Sequence, residues 1–129
     1  MSHPHKRVLG VDPGLTRCGI GVIEGSVGKP ITLIGVGVIL TSSDLPLERR
    51  LLQLETELED WISAHHPDVI AIERVFSQQN LRSVMGVAQI SGVVFMLAHK
   101  HAIPVFLHTP PPHNNTRNNT LSLHAALPI

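Results

Sequence analysis

Apolar positions gather into three short runs near the start of the chain. Arg7 to Asp12 (RVLGVD) is closed by the turn signal Asp12-Pro13-Gly14. Cys18 to Glu24 is the second run, and Ile31 to Thr41 the third, after a loop marked by Gly25, Gly28 and Pro30. The connections between them are short, which predicts an antiparallel meander. The period then changes. Leu47, Leu51, Leu54, Leu58, Trp61 and Ile62 recur at helical spacing, and Glu48, Arg49, Gln53, Glu55, Glu59 and Asp60 fill the other face as a solvated one. Ser43 or Asp44 is expected to cap this helix, and Pro46 suits its first turn. Pro67 ends it after His65-His66, because the residue before a proline avoids helical geometry.

Asp68 to Glu73 (DVIAIE) reads as a fourth strand. A strand reached through a helix normally runs parallel to its sheet neighbour. A second helix is expected from about Asn80 to His101. Leu81, Val84, Met85, Val87, Ile90, Val93, Val94, Phe95, Met96, Leu97 and Ala98 make it apolar around most of its circumference, which predicts burial on more than one side. One side should meet the sheet and another a partner subunit. Ile103 to Leu107 reads as a short fifth strand. From Pro110 the pattern dissolves into PPPHNNTRNNTLSLHAALPI, rich in proline and asparagine, and reads as loop or disorder. The division expected is a domain over 1–109 and a tail over 110–129.

Composition narrows the picture. The chain has 129 residues, 43% of them apolar, which suits one globular domain. Formal net charge is zero, but its distribution is uneven. Up to Glu73 there are six basic residues against ten acidic ones, a net −4; after it there are four basic residues and no acid, a net +4. The single cysteine, Cys18, allows no intrachain disulfide and reads as a buried thiol in a reducing cytoplasm. The most apolar stretch, Val84 to Ala98, is broken by Gly86, Gln89, Ser91 and Gly92, so no membrane association is expected. The nine histidines form no metal-binding pattern; His65, His66, His99 and His101 read as structural or solvent-exposed.

The chemistry lies in two acids. Asp12 ends the first strand and Glu73 the fourth. If these strands are parallel neighbours, about 5 Å apart, both carboxylates project from one edge of the sheet. Two such groups can share a hard, oxygen-seeking cation. The competing reading is a turn-making Asp and a solvent-facing Glu. Arg17, Arg74 and Arg82 are candidate phosphate contacts, because guanidinium groups bind phosphate oxygens well.

The residues around the acids add to this. Val11-Asp12-Pro13-Gly14-Leu15-Thr16-Arg17-Cys18-Gly19 resembles the first catalytic motif of the RuvC-type Holliday-junction resolvases, and Ile72-Glu73-Arg74-Val75-Phe76 resembles the second. Asn80 through Gly92, with Met85-Gly86-Val87-Ala88-Gln89, is similar to the helix that follows. The resemblance spans roughly residues 7–110. It implies an α/β, ribonuclease-H-like fold: a five-stranded mixed sheet flanked by helices. It also implies a homodimeric, Mg²⁺-dependent endonuclease, with Mn²⁺ as an alternative metal, that cuts four-way DNA junctions symmetrically and works with the RuvA–RuvB branch-migration complex. By position, Asp12 and Glu73 are then catalytic metal ligands. Phe76 is the aromatic residue that stacks on an unpaired base.

The match stops short at the C-terminal side. The family's final helix carries two further metal-site residues, and this chain has no Asp or Glu after Glu73. The expectation is a fold whose final helix is missing or replaced, and a chain with impaired cleavage. A non-catalytic junction-binding or dimerisation fragment and an RNA-processing nuclease of the same fold are the alternatives. An actin-like ATPase would need a second phosphate motif and a second domain, which this length does not hold.

Overall fold

The computed structural model describes residues 5–73 and 81–108, the side chains of residues 81 and 82 excepted. Five strands and two helices follow one another as β1 (Lys6–Asp12), β2 (Arg17–Gly25), β3 (Thr32–Leu40), α1 (Leu47–His65), β4 (Val69–Glu73), α2 (Leu81–Lys100) and β5 (Val105–His108). They form one sheet in the order β3-β2-β1-β4-β5. β1 pairs antiparallel with β2 and β2 with β3, whereas β4 lies parallel to β1 and to β5. The expected meander, the crossover to a parallel fourth strand and the short fifth strand are all present.

Alternation along the strands sorts the side chains onto two faces. Leu9, Val11, Cys18, Ile20, Val22, Ile39, Ile70 and Ile72 form one buried core with Leu54, Leu58 and Ile62 of α1 and Ile90, Val94, Leu97 and Ala98 of α2. Both helices therefore cover the same face. A smaller cluster of Val8, Ile23 and Ala71, flanked by Val69 and Phe106, lies on the other. Burial of a full Val, Leu or Ile side chain stabilises by about 1.5–3 kcal/mol, so the first cluster is the main source of cohesion.

The start of α1 differs from expectation. Pro46 is the N-cap residue and makes no side-chain cap; neither Ser43 nor Asp44 fills the role. Ser42 Oγ instead accepts from the Asp44 amide at 3.1 Å, while the Pro46 carbonyl accepts from the amides of Arg49 and Arg50. The competition between local turns and caps explains the shift: the hydroxyl closes a turn of its own two residues on, before the helix begins. The other end behaves as expected. His66 takes a left-handed conformation (φ 47°), its amide donating to the Ile62 carbonyl at 2.9 Å, and Pro67 follows.

α1 sits close on β3 because Gly35 and Gly37 leave room for the Trp61 ring; a Cβ at Gly37 would lie 2.5 Å from it. His65 stacks on that ring, with centroids 5.3 Å apart, and also lies beside Gly35. By length and composition α2 could cross a membrane, but Ile90, Val94, Leu97 and Ala98 are buried against the sheet and α1.

Candidate active site

The carboxylates come together at the strand ends. The parallel register runs Val8↔Val69 to Val11↔Ile72, so the next positions, Asp12 and Glu73, stand side by side on neighbouring strands. Both belong to the face away from the helices, and both line one cleft of about 510 Å³. The turn after Asp12 (Pro13, Gly14, Leu15, Thr16, Arg17) forms one wall, and Ser43, Arg50, Ser83, Gly86 and Val87 form the rest. A second cavity, on the outer face of the sheet, is also bounded by Asp12 and Glu73, together with Gly10, Gly19, Gly21, Ala71 and His108.

Backbone compactness lets these elements meet. A Cβ at Gly14 would stand 2.3 Å from the Arg17 carbonyl oxygen, so the turn closes tightly only on glycine. Gly86 brings α2 against Leu15, where a Cβ would approach to 3.4 Å. Gly19 lies opposite Asp12 in the β1–β2 register and leaves its side chain room. Two hydrogen-bonding residues, Thr41 and Arg50, then lock the turn. Thr41 donates its hydroxyl to the Leu15 carbonyl and its amide to the Thr16 carbonyl at 3.1 Å. Arg50 donates Nε to Thr41 Oγ1 at 3.0 Å and Nη2 to Thr16 Oγ1 at 3.0 Å, with a longer contact to the Thr41 carbonyl at 3.4 Å.

The electrostatics suit a cation. Burial pushes the Asp12 carboxyl above the ordinary carboxylate range. Glu73 is buried, at 8% exposure. Two acids crowded into one partly desolvated edge are costly without a positive partner. Their oxygens are the donor type that Mg²⁺ prefers. Among the described residues no group of three or more His, Cys, Asp or Glu side chains comes together to hold a metal. The two carboxylates are the candidate donors there. The neighbouring Cys18 is not a participant: burial, opposed by a hydrogen bond from the Gly14 backbone and reinforced by the Asp12 charge, pushes its thiol up to about 11.

Of the residues singled out from the sequence, Asp12, Glu73 and Arg17 share the cleft. Arg74 and Phe76 lie outside the described residues, as does the Arg82 side chain. Sequence reasoning missed Arg50, Thr41 and Ser83. Arg50 precedes Leu54 by four residues and Leu58 by eight, so it occupies the apolar stripe of α1. A charged residue in that stripe is the signal that would have found it. His108, in register with Glu73 on β5, was passed over because it stands alone in sequence.

Comparison with known proteins adds the family. The sequence model described as "Crossover junction endodeoxyribonuclease RuvC" matches residues 8–116. The chain belongs to this family. A relative of that name from Streptomyces griseus is 57% identical over 104 residues, which cover 81% of this chain and 51% of the relative. One from a Nocardioides species is 55% identical over 104 residues, or 59% of its length. The chain thus spans about half the length of the curated relatives it matches. In three dimensions it resembles Thermus thermophilus RuvC in complex with Holliday junction substrate, with a TM-score of 0.79 over 93% of this chain and 78% of that one, at 22% identity. The ribonuclease-H-like fold implied by the motifs is therefore the fold of the chain.

Proposed function

We propose that this chain carries the first part of a metal-dependent endonuclease that resolves four-way DNA junctions. The observation that supports it most is the side-by-side register of Asp12 and Glu73 within the cleft, in a chain of the RuvC family. Asp12 and Glu73 would hold Mg²⁺, or Mn²⁺ in its place. A bound divalent cation neutralises charge on a phosphate and lowers the pKa of a water molecule. The remaining roles belong to the chain. The Gly14 turn fixes the direction of Asp12. Arg17, with Arg74 and Arg82, binds phosphates of the strand, and Phe76 stacks on an unpaired base, a contact worth about 1–3 kcal/mol.

The outer side of α2 supports a homodimer. Val84, Met85, Phe95 and Met96 are exposed there, with Ala88 and Gly92 between them. A Cβ at Gly92 would meet nothing within 4 Å. Glycine in a helix interior costs about 1 kcal/mol relative to alanine, and among the described residues no contact requires it. A second helix approaching closely would. Collaboration with the RuvA–RuvB complex and a cytoplasmic location follow from the same reading. We take residues 1–109 as the nuclease portion and 110–129 as a segment outside it, although the family match runs on to residue 116. The absence of acids after Glu73 supports a second reading for the chain alone: it binds junctions and cuts them poorly. Two-metal hydrolysis holds cations about 3.5–4 Å apart and needs more ligands than two.

A gel shift and a nicking assay with Mg²⁺ or Mn²⁺ test both readings. The substrates are a four-way junction and a linear duplex. The proteins are this chain and the same chain joined to the C-terminal portion of the Streptomyces griseus relative. We expect preferential junction binding by both and cleavage that is orders of magnitude faster in the extended protein. Equal affinity for duplex and junction would contradict the resolvase reading. Equal cleavage rates would contradict the expectation that two carboxylates are insufficient.

A further inference from the structure

Arg50 is the feature that the site as described does not use. It is only 8% exposed, a cation buried at the root of the cleft that Asp12 and Glu73 line. Burying a guanidinium is unfavourable unless its donors are satisfied and its charge is met. Nε and Nη2 are satisfied, but by neutral oxygens: the hydroxyls of Thr41 and Thr16 and the Thr41 carbonyl. No carboxylate forms an ion pair with it among the described residues. Among the described residues its third nitrogen, Nη1, makes no hydrogen bond. Arg50 itself lines the cleft.

The arrangement is that of an anchored cation with one edge left for a ligand. Two hydroxyls hold the planar group from behind, so little side-chain freedom remains to be lost when an anion binds. Thr16, Ser43, Ser83 and Arg17 line the same cleft. A negatively charged, oxygen-rich group is the ligand this chemistry fits. We propose that Arg50 is a phosphate-binding residue of the cleft, taking one phosphate of the bound DNA strand on Nη1 while Thr16 and Thr41 fix its guanidinium. The inference rests on the nucleic-acid reading of the site, but not on four-way specificity. Through Thr16 the same contact is tied to the turn that follows Asp12, so a strand seated on Arg50 is held in a fixed relation to the carboxylates.

The test is the salt dependence of DNA binding without divalent metal, so that the carboxylates contribute no cation-dependent contact. Fluorescence anisotropy with a labelled four-way junction and a labelled linear duplex gives the slope of log K against log[salt] for the wild type, R50K, R50Q and R49Q. Each phosphate contact contributes about 0.9 to that slope. Arg49 is exposed on α1 and serves as the control. R50Q is expected to lower the slope by about 0.9 on both DNAs, with R49Q close to wild type. R50K keeps the charge but not the fork, and is expected to keep most of the slope and lose affinity at every salt concentration. A thermal melt checks that each variant folds. If R50Q does not fold, R50K decides: affinity equal to wild type would overturn the fixed-fork contact. An R50Q slope equal to wild type in a folded protein would overturn it outright, as would a wild-type chain that binds neither DNA at low salt. A lost slope on both DNAs, without preference for the junction, would uphold Arg50 and contradict the resolvase reading instead.

Discussion

Asp12 is exposed by area, yet the groups around it raise its carboxyl above the ordinary value, a shift that a nearby cation would offset. Because burial raises its carboxyl above the ordinary value of 3.8, the native state binds more protons than the unfolded chain just above that pH. Stability contributed by this group therefore falls as pH rises through that window and stays lower above it. Ionised Asp12 costs stability at neutral pH in the absence of metal. D12N removes that cost. We expect its metal-free Tm at pH 7 to equal or exceed that of the wild type, and the Tm increase caused by added Mg²⁺ to shrink or vanish. Differential scanning calorimetry with and without Mg²⁺ checks both parts. A D12N protein that melts several degrees lower without metal would mean that Asp12 holds the turn structurally. The acid itself was legible in the sequence, because a strand-ending Asp before Pro-Gly and a strand-ending Glu stand out. The walls crowded around it were not, since they depend on how closely Gly14 and Gly86 let the backbone approach.

Among the elements, α1 governs the site more than its amphipathic pattern suggests. Its apolar stripe was readable and does face the sheet. Its registration on β3 was not, because it depends on Trp61 entering the space above Gly35 and Gly37. G37A places a methyl where the Trp61 ring lies and should destabilise by about 1–3 kcal/mol, the usual range for overpacking. Urea unfolding measures it, and restoration of stability in G37A/W61L would identify the ring as the obstacle. At its far end α1 is tied to the region after α2. Glu59 accepts from His101 Nε2 at 2.5 Å and pairs with Lys100 at 3.2 Å. The His101 hydrogen bond is the largest cause lowering the Glu59 carboxyl below its ordinary 4.5; burial opposes it, and Lys100 adds a smaller lowering effect. A depressed native value gives stability that is present above the unfolded value and is lost as pH falls through the native one. The pair is at the surface, so the effect is small, at most about 1 kcal/mol. E59Q should flatten the acid side of the stability curve, measured by urea unfolding between about pH 3 and 6. A curve parallel to wild type would leave the pair without energetic weight.

At the scale of the molecule, two surfaces carry the account: the outward side of α2 and the cleft at the strand ends. The all-round apolar character of α2 predicted burial on more than one side. Among the described residues only one side is buried, and we expect a second copy on the other. M96E and G92L should each shift the sedimentation equilibrium toward monomer without lowering the Tm measured at high dilution. A wild type that is monomeric at all concentrations would remove the dimer. The fold was largely readable because hydrophobic period and turn chemistry agree with one another along residues 7–108. The site was readable at its two acids and Arg17. It was not readable at Arg50, Thr41 and Ser83, which join it from distant parts of the chain. The central claim is that Asp12 and Glu73 share one cation in the cleft. Titration with Mn²⁺, followed by paramagnetic broadening of backbone amide signals, tests it most directly. Gly14, Thr16 and Gly86 are expected to broaden first in the wild type, and D12N and E73Q each to abolish this broadening. Broadening that starts elsewhere, or persists unchanged in both variants, would contradict it.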